Sequence, residues 1–366
     1  AGTWLSGGAP APQPPLVLSA SRLAAVHEYE PSDLTIGIGA GVSHGALRAT
    51  TAPHAQWLPL DPPAAPTATL GATVSTAAAG PLRAAFGTPR DHVLGLEIVT
   101  GDGRVLAFGG RVVKNVAGYD LVRLMTGSHG TLGFITRLHL RLRPRPPLDR
   151  ALRCEAAAPD PLLALSAALQ HRRLEPAALE LLSPPADRRR GWSLLVRFQG
   201  VEARVAAAVA EVRAITEAGP CDEVDWEREV DHGEADAALL VRLADRPSRL
   251  AATLRLARSL AEALDVPPGS GPPPRIAAHL TAGIVRVWQA EAAWTQQQLS
   301  GIVGAITAAR DQLAGRAGSV IIAIAPPALL ERVPPWPAPG PALALMRGLK
   351  AHFDPDGVLA PHRFIV

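Results

Sequence analysis

The chain has 366 residues, 36 Lys+Arg against 33 Asp+Glu for a formal charge of +3, and 2 cysteines. That length supplies two or three domains with ample interior and excludes a small disulfide scaffold, and the interspersed charges argue against a nucleic-acid partner. Cys154 and Cys221 stand far apart in sequence, which excludes a cysteine-ligated iron–sulfur cluster or zinc ribbon within the chain and fits a reducing, cytoplasmic compartment. The longest strongly apolar run, 319–324, is too short to span a membrane.

In chain order, residues 1–148 read as short strands at 15–18, 34–38, 93–100, 104–108 and 134–143, with helical stretches at 45–50 and 119–125. Gly101-Asp102-Gly103 is a hairpin turn between two of these strands. Arg143-Pro144-Arg145-Pro146-Pro147 ends the last one, because proline removes a donor and fixes φ, and a domain boundary is placed there.

From 149 to 325, Ala/Leu/Arg-rich helices alternate with strands: 160–172 helix, 193–198 strand, 201–218 helix, 238–243 strand, 247–264 helix, 275–280 and 284–288 strands, 291–313 helix, 319–324 strand. This order predicts an open antiparallel α+β sheet with helices on one face, a cap domain. Residues 326–366 form a proline-rich crossing and a last helix, 342–352, returning to the first domain. The fold class expected for the whole chain is α+β.

The composition marks one segment. Of the 36 cations only Lys114 and Lys350 are lysines, Asn115 is the single Asn, and Tyr29 and Tyr119 are the two tyrosines. Three of these five fall within 114–119, which suggests a specific requirement there. The competing reading is that Asn115 caps a helix, Tyr119 packs in the core and Lys114 faces solvent.

Two glycine-rich stretches invite a ligand. Gly37-Ile38-Gly39-Ala40-Gly41 fails the dinucleotide fingerprint, since Val42 and His44 occupy the positions of a third glycine, and it is read as a structural strand-to-helix turn. The second stretch is richer: Thr69-Leu70-Gly71-Ala72 with Ser75 and Thr76, then Gly80, then Gly87-Thr88-Pro89-Arg90-Asp91-His92-Val93-Leu94-Gly95, and later Gly130-Thr131-Leu132-Gly133. Small residues let backbone amides approach a pyrophosphate, and Gly2-Thr3-Trp4-Leu5-Ser6-Gly7-Gly8 has the same character.

Together with Pro59-Leu60-Asp61-Pro62, these segments resemble, in order and spacing, the vanillyl-alcohol oxidase or PCMH-type FAD-binding family. Within it, 109–121 resembles the FAD-binding E subunit of bacterial glycolate oxidase. The resemblance implies an FAD-binding domain at 1–148, lacking the first βαβ part of the small FAD subdomain, with a cap at 149–325. It implies pyrophosphate contacts from Gly2, Thr3, Trp4, Ser75 and Thr76, and adenosine or ribityl contacts from Thr69, Leu70, Gly71, Asp91, Gly133 and Ile135. Asp61, Gly80 and Gly130, with Lys114, Asn115, Gly118 and Tyr119 of the marked segment, complete the expected cofactor set.

Departures are Ala72 for the second glycine of Thr-Ile-Gly-Gly, 77–80 for Asn-Ala-Gly-Gly, and 360–362 for Asn-Pro-Gly. Family members that oxidise 2-hydroxy acids unaided carry two histidine motifs; here 276–286 holds His279 alone, with no acid, so no catalytic metal is expected and no catalytic residue is assigned. His279 is read as a core residue, the cysteines as buried small side chains, and FAD as non-covalent, with His44, His54 and His92 candidates for attachment only by lying in the right domain. The resemblance implies a subunit that works with a catalytic FAD subunit and an iron–sulfur subunit on a small 2-hydroxy acid, cytoplasmic or held at the inner membrane through those partners. The alternative is a catalytically silent scaffold of the FAD fold.

Overall fold

The computed structural model describes residues 7–9, 16–110, 119–185, 191–216, 221–230, 234, 237–264, 272–291 and 294–364. It divides into two compact units, one built from Ala9–Arg145 and Ala338–Val366, the other chiefly from Pro146–Pro337.

The first unit contains β1 (Val26–Glu30), β2 (Thr35–Gly39), α1 (His44–Thr51), β3 (Gln56–Trp57), α2 (Leu70–Thr76), α3 (Arg83–Phe86), α4 (Pro89–His92), β4 (Val93–Val99), β5 (Val105–Gly109), α5 (Leu121–Met125), β6 (Phe134–Arg141) and β7 (Arg143–Pro144). Its antiparallel sheet runs β1-β2-β6-β4-β5, and β3 pairs with β7 apart from it. Inward residues at every second position, such as Ile36 and Ile38 of β2 and Leu138 and Leu140 of β6, meet Leu70 and Val74 of α2 in one core.

The 37–41 turn is structural, as read from the sequence. A Cβ at Gly39 would lie 2.1 Å from the Leu23 carbonyl oxygen and one at Gly41 1.9 Å from that of Ala20, so only glycine admits the backbone of 20–25. The expected strand at 15–18 is not formed. The edge strand is instead β1, whose charged residues His27, Glu28 and Glu30 hid it from a hydrophobicity reading.

The second unit contains β8 (Leu148–Ala156), α6 (Pro159–His171), β9 (Ala178–Leu182), β10 (Trp192–Gly200), α7 (Glu202–Ile215), β11 (Cys221–Val224), α8 (Trp226–Val230), β12 (Leu239–Ala244), α9 (Leu250–Leu264), β13 (Arg275–His279), β14 (Ile284–Gln289), α10 (Gln296–Ala314), β15 (Ser319–Ile324) and α11 (Pro327–Leu330). One antiparallel sheet runs β11-β8-β10-β9-β13-β14-β12-β15. It is two β-α-β-β-α-β halves, β8 to β11 and β12 to β15, with the same strand order in each and joined edge to edge where β9 meets β13. One face buries Leu179, Leu181, Val285 and Val287 under α6, α7, α9 and α10; the opposite face carries Ala178, Leu182, Ala277 and Trp288 with Trp226 of α8.

The reading of the cysteines as unpaired is corrected. Cys154 on β8 and Cys221 on β11 face each other in register and form a disulfide, with Cα atoms 4.3 Å apart. Neither strand carries a clean apolar alternation, and only their pairing brings together two residues that lie 67 apart in the chain. The C-terminal helix, α12 (Leu343–Phe353), belongs to the first unit and buries Phe353 in its core.

Candidate cofactor-binding site

The glycine-rich stretch at 69–76 is α2 itself. Thr69 is its N-cap, the hydroxyl accepting from the Ala72 N–H at 3.4 Å. The first free amides of the helix are already used: Leu70 N–H donates to the Val42 carbonyl at 2.9 Å and Gly71 N–H to that of Ala40 at 2.8 Å. No donors remain at this end for a phosphate, and Leu70 is core. Gly71 is a packing glycine, since a Cβ there would sit 2.7 Å from the Ala40 Cβ.

The other end of α2 is different. Ser75, Thr76 and Ala77 are half-buried, and Ala77 is left-handed (φ 51°). The loop after α5 docks against them: Gly127 N–H donates to the Val74 carbonyl at 3.0 Å and His129 N–H to that of Ser75 at 2.7 Å. That loop turns through left-handed Gly127, His129 and Gly130 (φ 85°, 53° and 72°), and a Cβ at Gly130 would find nothing nearer than the Ser75 Oγ at 3.8 Å. Among the described residues, the N–H groups of Ala79 and Gly130 have no partner. Small side chains, a hydroxyl and spare amide donors fit a phosphate-bearing cofactor laid against residues 75–80 and 127–133.

The structure thus brings Ser75, Thr76 and Gly130 together and gives the other expected residues their own tasks. Asp61 accepts from the Leu82 N–H at 3.0 Å, and Gly80 lies so close to it that a Cβ would meet the Asp61 carbonyl oxygen at 2.1 Å. Asp91 closes the capping box of α4, accepting from the Thr88 N–H at 2.7 Å, a bond that holds its carboxyl below the usual range. Gly133 packs on Ile98, whose Cδ1 would be 2.7 Å from a Cβ, and Ile135 is buried core on β6. Tyr119 is 95% exposed, so the competing reading of it as core is corrected, and α5 is capped by Asp120, which accepts from the Arg123 N–H at 3.0 Å. Gly2, Thr3, Trp4, Lys114, Asn115 and Gly118 lie outside the described residues.

The three histidines considered for flavin attachment each make contacts within the unit. His44 is buried, its Nε2 2.9 Å from the Thr73 hydroxyl, and burial pushes its pKa down to about 4. His92 lies with Nε2 2.9 Å from the Phe86 carbonyl and is also lowered by burial, while His54 meets the Tyr29 ring edge-on at 5.3 Å.

In the second unit His279 is buried opposite Glu180, its Nδ1 against that carboxylate. Arg286 also reaches Glu180 and, through Nη1, Glu234 at 2.6 Å. Burial alone would pull the guanidinium pKa down, but the two carboxylates more than offset it and Arg286 stays charged. This buried cluster was missed. Its signals were single ionisable residues inside apolar strands, Glu180 in Ala178–Leu182 and Arg286 in Ile284–Gln289. Among the described residues no group of three or more His, Cys, Asp and Glu is arranged to hold a metal, and no helix is long and apolar enough to cross a membrane.

Comparison with known proteins gives this geometry a class. Residues 1–109 match the family of FAD binding domains; this part of the chain is an FAD-binding domain of the PCMH type, and its cofactor is FAD. The chain is 44% identical over 128 residues to the glycolate oxidase subunit GlcE of Escherichia coli (strain K12), an alignment covering 35% of this chain and 37% of that one. It is 31% identical over 256 residues to the D-2-hydroxyglutarate dehydrogenase of Xanthomonas citri pv. viticola, covering 66% and 53%. The chain thus spans about half the length, or less, of these curated relatives. A solved structure of alkyldihydroxyacetonephosphate synthase shares the fold, with a TM-score of 0.67 at 14% identity over 94% of this chain and 67% of that one.

Proposed function

We propose that this chain is the FAD-binding subunit of a glycolate-oxidase-type complex, one that takes electrons from a small 2-hydroxy acid and passes them toward an iron–sulfur partner. The observation that supports it most is the juxtaposition of residues 75–80 and 127–133, the first of which lie inside the FAD-binding region and whose small residues and spare donors suit a flavin dinucleotide. FAD supplies the acceptance of the electron pair when bound. The chain's own residues bind and orient: the Ser75 hydroxyl and the Ala79 and Gly130 amides hold oxygens, and the left-handed turns at Gly127 and Gly130 keep side chains out of the way.

A second reading, a scaffold subunit that turns over nothing itself, is favoured by one observation. Among the described residues of the second sheet face, Glu180 is engaged by His279 and Arg286, and Glu234 by Arg286, so these acids are already committed to contacts within the domain.

Both readings expect assembly with a catalytic flavoprotein and an iron–sulfur protein in the cytoplasm, or at the inner membrane through those partners. The test is co-purification with the flavoprotein and iron–sulfur proteins encoded alongside it. Dye reduction with glycolate, D-lactate or D-2-hydroxyglutarate is then measured with and without this chain and with a variant unable to retain FAD. Activity lost with the variant supports the redox subunit; activity kept with the variant but lost without the chain supports the scaffold; activity unaltered by omitting the chain sinks both.

A further inference from the structure

Lys350 is one of two lysines in a chain whose other 34 cations are arginines, and the cofactor reading leaves it unused. It stands on α12 at 15% side-chain exposure, and its ammonium donates to three oxygens: the Thr131 carbonyl at 2.9 Å, the Leu359 carbonyl at 2.9 Å and Asp354 Oδ2 at 2.5 Å. Three donors on one nitrogen meet three acceptors, which saturates the group. A guanidinium spreads its donors over a planar fork and cannot bring three bonds to one point, so this position needs lysine where the rest of the chain uses arginine.

The partners show what the ammonium ties together. Asp354 is itself buried and accepts from the Val358 and Leu359 N–H groups at 3.0 and 2.9 Å, closing the turn after α12. Thr131 belongs to the loop that carries Gly130 and docks on Ser75. A second contact runs parallel to the first, with the Phe364 ring stacked on His129 at 5.3 Å. The loop 127–133 is therefore clamped between the C-terminal end of α2 and the C-terminal tail.

We infer that Lys350 is the positioning residue of the FAD site, fixing the Thr131 carbonyl and with it the Gly130 amide against Ser75. The inference rests on the cofactor reading of residues 75–80 and 127–133. It is tested on the whole chain by titrating FAD into wild type, Lys350→Met and Lys350→Arg, together with amide hydrogen exchange of 93–99 and 127–133 without flavin. Both variants are expected to raise the FAD dissociation constant about tenfold or more, the order lost with one well-made hydrogen bond, and to speed exchange at 127–133 while β4 stays protected. Lys350→Arg keeps the charge and most of the stem, so it reports even if Lys350→Met unfolds the unit. An arginine variant that binds FAD as wild type does, or exchange at 127–133 that stays unaltered, overturns the role of Lys350 and leaves residues 75–80 and 127–133 as the cofactor site. A wild-type chain that binds no FAD overturns that reading of the site, and this inference with it.

Discussion

His44 makes acid sensitivity of the first unit a quantitative expectation. Its imidazole is buried between α1 and α2 and falls from an ordinary 6.5 to about 4, because burial penalises the charged form. The unfolded chain therefore binds a proton between those values that the folded chain refuses. Stability is fully present above pH 6.5 and falls as the pH drops, by up to 1.36 kcal/mol per pH unit, for a total of about 3 kcal/mol by pH 4. The carboxylates of Asp91 and Asp102 have depressed pKa values, so their stabilisation disappears only below about pH 4, outside this window. His92 is lowered in the same direction as His44 and keeps some slope in any single variant. The assay is urea unfolding of wild type and His44→Gln at steps from pH 7 to 4.5, the amide being able to bond Thr73 without titrating. The variant is expected to lose up to one proton's worth of slope. Equal slopes for the two proteins would refute the assignment of a buried neutral imidazole.

Three further outcomes follow from the packing. Gly71→Val, which drives carbon into Ala40, should cost about 1–3 kcal/mol or more and lower the melting temperature of the unit, whereas Gly130→Ala, strained only by its φ of 72°, should cost about 1–2 kcal/mol and leave a folded protein with weakened FAD binding; a Gly71 variant that melts normally but loses FAD would return that glycine to the site. Reducing the Cys154–Cys221 disulfide, or replacing both cysteines by serine, should lower the stability of the second unit by about 2–4 kcal/mol in urea, and identical midpoints with and without dithiothreitol would argue that the bond does not form. Arg286→Met leaves Glu180 and Glu234 buried without their shared cation and should cost about 3–5 kcal/mol, partly recovered when Glu180→Gln is added, a double-mutant cycle in thermal unfolding reading the coupling.

Much of the architecture was legible from local signals. The Gly-Asp-Gly hairpin, the helices α1, α6, α7, α9 and α10, and strands such as β4, β14 and β15 are each written in contiguous residues by turn chemistry or apolar period. The α+β class followed from the order of helices and strands, and the FAD-binding character of the N-terminal part from the family resemblance of its short glycine motifs. Strands with charged or mixed faces, β1, β8 and β11, were not legible, because β1 and β11 are edge strands rich in polar residues and the burial of β8 does not alternate.

The roles within the motifs were decided by tertiary structure alone. Sequence marks a glycine as a place where something comes close, and only packing says what: the Ala40 methyl at Gly71, Ile98 at Gly133, the Asp61 backbone at Gly80, and no more than an ordinary contact with Ser75 at Gly130. The same holds for charge and sulfur. Whether Glu180, His279 and Arg286 form one neutral cluster, whether two cysteines 67 residues apart meet, and whether a rare lysine reaches three oxygens depend on strand register and chain return. Those are long-range geometric facts, fixed by burying two cores at once, and no window of adjacent residues contains them.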